Sequence, residues 1–215
     1  MMQTDVLGIV FSLALLIISI IIHEVAHGYA ANSLGDPTAK LSGRLTLNPI
    51  PHIDLWGSII VPAILIFTHS SILFGWAKPV PYNPYNLKNQ RWGEAIVAVA
   101  GAATNILIAV IFGLIVRFGY GTLPGPFITI SGTLAFINLF LGLFNLIPIP
   151  PLDGYTVLRG ILPYRYAMGL RALEDRMRAG GMASILLILI VFSLFFSGPF
   201  YMFVQWTFAL LIGGY

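Results

Sequence analysis

The sequence predicts an all-α polytopic membrane protein with a single intramembrane domain over residues 1–215, and three observations predict it. The chain is 58% hydrophobic and only 9% charged, whereas ordinary soluble domains are about a quarter charged. Its mean hydropathy is +0.90. Apolar runs long enough to cross a bilayer recur along it, and no polar block between them is large enough for a separate soluble domain. Any functional site must therefore be built from the helices themselves.

The first apolar run, Val6 to Ala31, ends at Asn32-Ser33-Leu34-Gly35, where polar residues and a glycine stop a helix. Residues 36–55 are polar and turn-rich. Within them Thr38 to Leu47 alternates loosely and breaks at Ser42-Gly43, which reads as a short β-hairpin after the first helix. The run Trp56 to Trp76 is interrupted by Pro62 and by Thr68-His69-Ser70-Ser71, and fits either a short span or a re-entrant hairpin. Lys78-Pro-Val-Pro-Tyr-Asn-Pro is extended loop, since each proline biases its predecessor away from helix. A further span, Ala95 to Phe118, carries Ala98, Ala100, Gly101, Ala102 and Ala103, small residues that permit close helix approach. The next, Ile128 to Ile147, ends in Asn145-Leu-Ile-Pro-Ile-Pro-Pro-Leu-Asp153-Gly154, where the prolines must unwind the helix and free backbone groups. Residues 155–181 hold five arginines and read as an interfacial helix, and Met182 to Ile212 is one tilted helix or two pieces parted at Ser197-Gly198-Pro199.

Charge placement orients these spans. Arg159, Arg165, Arg171, Arg176 and Arg178 follow the Ile128–Ile147 run, and Lys78, Lys88 and Arg91 precede the Ala95–Phe118 run, while Arg117 falls between the two. Both basic segments are expected in the cytoplasm, so the first helix runs from outside to inside. A net charge of +3 carried by so few loop residues is topological and leaves no nucleic-acid footprint.

Residues 23–27 read His-Glu-Val-Ala-His, inside the first membrane run. On a helix two histidines at i and i+4 share one face and reach a single zinc ion, with Glu24 beside it as general base. The competing reading is a pair of core histidines bonded to neighbouring helices. Charged and imidazole groups in hydrocarbon are costly and usually functional, which favours the metal. The chain has no cysteine, so ligands are restricted to histidine and carboxylate. Catalytic zinc generally keeps three protein ligands. Asp153 is the best third after His23 and His27, because it sits in the proline-broken stretch at the end of an apolar helix. Glu94 is the rival but begins a span beside basic residues. His69 lies among hydroxyl residues and reads as a turn residue, and His52 is near enough in sequence to be an accessory group.

With His-Glu-x-x-His in the first helix and Asn-x-x-Pro-x-x-x-x-Leu-Asp-Gly later, the chain resembles the site-2 protease family of intramembrane zinc metalloproteases. The resemblance covers the first, third and fourth apolar runs. It implies zinc held by His23, His27 and Asp153, Glu24 as catalytic acid/base, and substrate or oxyanion contacts from Asn145. Ala100-Gly101-Ala102-Ala103-Thr104-Asn105 is similar to the family's Ala-Gly-Pro-x-x-Asn helix, with alanine in place of proline at 102, and assigns a related role to Asn105. Gly75-Trp-Ala-Lys-Pro-Val-Pro and Asn48-Pro-Ile-Pro-His-Ile-Asp look like the minimal prokaryotic branch without PDZ or CBS domains. The implied setting is a multi-pass protein of a prokaryotic cell membrane, its site nearer the cytoplasmic face.

The expected partners are the lipid bilayer and a membrane protein with a transmembrane helix. A helical peptide bond must unwind before it can be cut; the Thr38–Leu47 hairpin either offers its strand edge to the freed backbone or only joins two membrane segments, and the two readings stand level. Two other classes fit the polar residues less well. A proton or metal transporter should carry acidic groups on several spans or internal repeats, and a non-catalytic scaffold would not need the full set.

Overall fold

The computed structural model describes residues 6–67, 77–89 and 92–214. These residues are helical or loop throughout. α1 (Val6–Ser33) is followed by a single turn, α2 (Thr38–Leu41), and by a π-helical stretch, Leu55–Ile60, that runs into α3 (Val61–Phe67). Two long helices come next, α4 (Gly93–Gly119) and α5 (Gly125–Asn145). Four shorter ones complete the chain: α6 (Asp153–Ile161), α7 (Tyr164–Ala179), α8 (Gly181–Phe195) and α9 (Ser197–Ile212).

Three of these helices are long and apolar enough to cross a membrane: α1 from Val10, α4 and α5. Their outward side chains, such as Ile17, Ile18, Leu107 and Ile111, are exposed and apolar, as lipid contact requires. α4 is the central helix and packs against α1, α5, α6 and α9. It can do so because its inward positions are small. Ala98, Ala102 and Ala109 are buried, and a Cβ on Gly142 of α5 would stand 3.1 Å from the Ala102 carbonyl. Close backbone approach replaces the hydrophobic drive that lipid does not provide. On the far side of α5, Phe140 and Phe144 meet Phe200 of α9 at ring distances of 5.4 and 5.9 Å, and Phe144 meets Phe192 of α8 at 5.4 Å.

The expected β-hairpin at Thr38–Leu47 is not formed, and the described residues contain no strand. Asp36 precedes Pro37 and accepts from the backbone and hydroxyl of Thr38, which starts a helical turn. Gly43, at φ +65, ends it: Arg44 N–H donates to the Ala39 carbonyl across 3.0 Å in a Schellman closure. An Asp-Pro start and a Gly stop are helix signals, and here they override the weak alternation. The strand edge that one of its two readings offered to substrate is therefore absent as well. Residues 155–181 form two helices instead of one interfacial helix, because Pro163 holds Leu162 extended at ψ 151. The last apolar run is two helices parted at Phe196. The choice between a span and a re-entrant hairpin for 56–76 falls partly on residues 68–76, which lie outside the described residues, as does His69.

Candidate active site

α1 and α4 run antiparallel, and α4 meets the His-Glu-x-x-His turn with Val97, Gly101 and Asn105, four residues apart on one helix face. His27 Nδ1 donates to the Val97 carbonyl across 2.7 Å. His23 Nδ1 lies 2.6 Å from Asn105 Oδ1. Gly101 leaves the room between them: a Cβ there would stand 2.5 Å from Cε1 and Nε2 of His27 and 2.7 Å from Cε1 of His23. With both Nδ1 atoms spent on oxygen acceptors, each Nε2 keeps its lone pair and turns inward.

The third group comes from α6. Asp153 Oδ2 lies 3.1 Å from His23 Nε2 and 3.3 Å from His27 Nε2, and the two Nε2 atoms are 3.0 Å apart. Asp153 reaches this point because the chain doubles back after α5. A Cβ on Gly154 would collide with the carbonyls of Leu146 and Ile147, so glycine is needed for α6 to start against the end of α5. The Asp153 Oδ2 atom is buried with no hydrogen-bond partner. Two imidazole nitrogens and a carboxylate oxygen thus converge on one point, and three acceptors facing one another are satisfied by a shared proton or by a metal cation. The nitrogen and oxygen donors and their near-trigonal arrangement suit zinc with a fourth position left open. Among the described residues this is the one group of His and acidic side chains that could hold a metal ion.

Glu24 is the next residue on α1, and its Oε2 accepts the Val80 N–H across 2.8 Å. That donor belongs to the extended proline segment, which is itself fastened on both sides. Lys78 N–H donates to the His52 carbonyl at 2.9 Å, and the Arg44 guanidinium donates to the carbonyls of Lys78 at 2.7 Å and Pro79 at 3.3 Å. Asn83 N–H and the Asn86 amide both donate to Asp36.

The other candidates are placed as follows. Asn145 sits at the C-terminal end of α5 and donates to the Leu141 carbonyl of its own helix. Asn105 is fully buried. His52 is buried too, with Nε2 on the Thr46 carbonyl at 2.9 Å, which secures the loop that carries Lys78. Glu94 accepts from Arg159 and Arg171, and Arg159 also pairs with Glu174. This network fastens the start of α4 to α6 and α7. The Tyr155 hydroxyl adds a bond to the Leu170 carbonyl at 2.7 Å, and burial, with the charge of Glu174, raises its phenol above the ordinary value.

Sequence reasoning missed Val97 and Gly101 as partners of the histidines, and Ser19 and Asn138, which meet Asn105 in the bundle core. Steps of four residues from Asn105 back through Gly101 to Val97 were the available signal for the first two. Ser19 and Asn138 have no local signal beyond being polar within apolar runs.

A helical membrane bundle that closes two histidines and an aspartate around one point, with a glutamate beside them, defines a membrane-embedded metallopeptidase. Residues 122–193 match Peptidase family M50. YwhC of Bacillus subtilis strain 168, which carries a zinc metalloprotease name, is 38% identical over 200 residues, 89% of this chain and 82% of its own. Rip2 of Mycobacterium tuberculosis H37Rv, similarly named, is 27% identical over 194 residues, 90% of this chain and 71% of its own. The zinc metalloprotease MJ0392 of Methanocaldococcus jannaschii is 26% identical over 180 residues, 84% of this chain but 42% of its own. No solved structure matches the chain significantly. The chain belongs to peptidase family M50, the site-2 proteases, which are intramembrane zinc metalloproteases. That membership does not favour the transporter and scaffold alternatives.

Proposed function

We propose that His23, His27 and Asp153 hold the zinc, that Glu24 moves the protons, and that the substrate is a transmembrane segment of another membrane protein. The observation that carries this reading is the convergence of His23 Nε2, His27 Nε2 and Asp153 Oδ2 within 3.3 Å of one another. Bound zinc supplies a Lewis acid for the scissile carbonyl and lowers the pKa of water toward about 7. Glu24 accepts the proton of the attacking water on a carboxylate oxygen and returns it to the nitrogen of the departing amine. The Val80 N–H holds one oxygen of Glu24 and leaves the other free for this transfer. Asn145 is a donor for the oxyanion of the attacked carbonyl, with its side chain near the end of α5 where the chain unwinds.

The depth of the site suits a peptide bond near one membrane face. His27 and His23 lie six and ten residues before Ser33, the end of α1, or about 9 and 15 Å along the helix. We assign this face to the cytoplasm of a prokaryotic cell. Lys40, Arg44, Lys78, Lys88 and Arg159 belong to segments at this end of the bundle, and Arg117 belongs to the other.

The test is Glu24→Gln and Asp153→Ala in detergent or liposomes with a helical membrane substrate. Glu24→Gln is expected to keep its zinc while turnover falls by about 10²–10⁴-fold. Asp153→Ala is expected to lose most zinc and all activity. Full zinc content and turnover in Asp153→Ala would remove it from the site, and substantial turnover in Glu24→Gln would point to another base.

A further inference from the structure

Behind His23, on the side away from Asp153, three polar side chains from three helices form one line through the bundle core. Ser19, Asn105 and Asn138 are each buried to 1% exposure or less. They sit on α1, α4 and α5, deep in spans where an unpaired polar group is expensive. Their hydrogen bonds account for every amide hydrogen. Asn105 Nδ2 donates to Asn138 Oδ1 at 2.7 Å and to the Ser19 carbonyl at 3.3 Å. Asn138 Nδ2 donates to Ser19 Oγ at 2.9 Å and to the Leu134 carbonyl at 2.9 Å. Ser19 Oγ donates to the Leu15 carbonyl at 2.8 Å.

The direction of this line is set by the backbone. A peptide carbonyl only accepts, so the Leu134 carbonyl fixes the NH2 of Asn138 on its side and turns Oδ1 toward Asn105. Asn138 Oδ1 and the Ser19 carbonyl together fix the NH2 of Asn105, which leaves Asn105 Oδ1 facing His23 Nδ1. An oxygen there can only accept, so His23 must carry its proton on Nδ1. Its Nε2 is then the bare nitrogen that faces Asp153 and His27.

We propose that Asn138, steadied by the Ser19 hydroxyl, is a positioning residue for the metal centre: through Asn105 it holds His23 in the one tautomer that can bind zinc. The side-chain hydrogen bonds of Asn138 and Ser19 go to Asn105, to each other and to backbone carbonyls, and none goes to a proposed metal ligand. Without Asn138, the amide of Asn105 keeps only its 3.3 Å contact to the Ser19 carbonyl. It can then turn over and present NH2 to His23, which moves the ring proton to Nε2 and blocks ligation.

The inference rests on His23 being a zinc ligand, and the experiment separates the two. Zinc affinity is measured by chelator competition in purified protein, for Asn138→Leu alone and in an Asn105→Asp background. A carboxylate at 105 accepts from His23 in either rotation, so it needs no orientation by residue 138. Asn138→Leu is expected to weaken zinc binding about 10–100-fold in the natural background, the usual range for groups behind a metal ligand, and less than about 3-fold with Asp at 105. Equal loss in both backgrounds means a merely structural role, and no loss in either means no role; each overturns the proposal. Asn138→Ala, which removes the same acceptor with a smaller side chain, is run through the same cycle and decides the matter if Asn138→Leu does not fold. Nitrogen-15 NMR of histidine in metal-free protein gives a second readout. His23 is expected to be Nδ1-protonated in the natural chain and to gain Nε2-protonated population in Asn138→Leu; an unchanged tautomer overturns the proposal. His23→Ala serves as the control: if it keeps its zinc, the ligand assignment itself is wrong.

Discussion

Gly101 and His27 are in such close register that a methyl group on the glycine would stand 2.5 Å from the imidazole Nε2. Real Cβ contacts are longer, so Gly101→Ala must displace the ring from its present position beside Asp153. Zinc affinity is expected to fall at least about 10-fold, as when a ligand's orientation is disturbed. Gly132→Ala on α5, where a Cβ would meet only Val116 at 3.9 Å, is the matched control and should bind zinc normally. Normal affinity in Gly101→Ala would show that the centre tolerates a shifted histidine.

Glu94 separates stability from ligation. It is buried between Arg159 and Arg171, and Glu94→Ala leaves Arg159 inside with one carboxylate fewer. Breaking a buried pair by removing one partner costs about 3–5 kcal/mol; the half-exposed Arg171 places this case toward the lower end. Unfolding in detergent should show that loss, while the folded fraction retains one zinc per chain. Loss of zinc from well-folded Glu94→Ala would restore Glu94 as a ligand.

Asp36 predicts a pH dependence. Burial acts to raise its carboxyl, but bonds from Thr38, Asn86 and Asn83 outweigh it and hold the group below its ordinary value of 3.8. A carboxyl depressed in the folded state contributes stability above its unfolded pKa and loses it as pH falls through the folded value. The natural chain should therefore be more stable than Asp36→Asn at pH 7, by about 1–3 kcal/mol for hydrogen bonds to a charged group. That advantage should shrink below about pH 4. A difference between the two proteins that stays constant down to pH 2 would rule the carboxylate out as its source.

Orientation is testable because the chain has no cysteine. Single cysteines replacing Lys88, before α4, and Thr122, between α4 and α5, are both at exposed positions. An impermeant thiol reagent on intact cells should label position 122 and spare position 88. The reverse pattern would move the site to the outer face.

Membrane class, the three long apolar helices and the three converging residues were legible in the chain, because each follows from local chemistry. Hydropathy sums over a window, i and i+4 share a helix face wherever the helix lies, and cysteine-free metal binding restricts the ligand types. Asp153, 126 residues beyond His27, was readable for a similar reason, since a carboxylate in a proline-broken helix end has few other uses. The turn at Thr38–Leu41 was also written locally, in Asp36-Pro37 and Gly43, and there the capping signals should have outweighed the alternation.

Which atoms face the point where the three side chains converge was decided only by the tertiary structure. Nothing near His23 in the chain says that its Nδ1 will meet Asn105, or that Asn138 and Ser19 will orient that amide. The same holds for Val80, whose backbone reaches Glu24 across 56 residues. Side-chain identity limits what a residue can donate or accept, whereas the direction of a hydrogen bond depends on the partner that packing brings to it. Sequence by itself therefore determined that this is a metal-binding membrane protein and picked out the three side chains that converge. The packing of α4 between α1 and α5 decided how the histidines are aimed, because only there do helices distant in the chain place acceptors behind both rings.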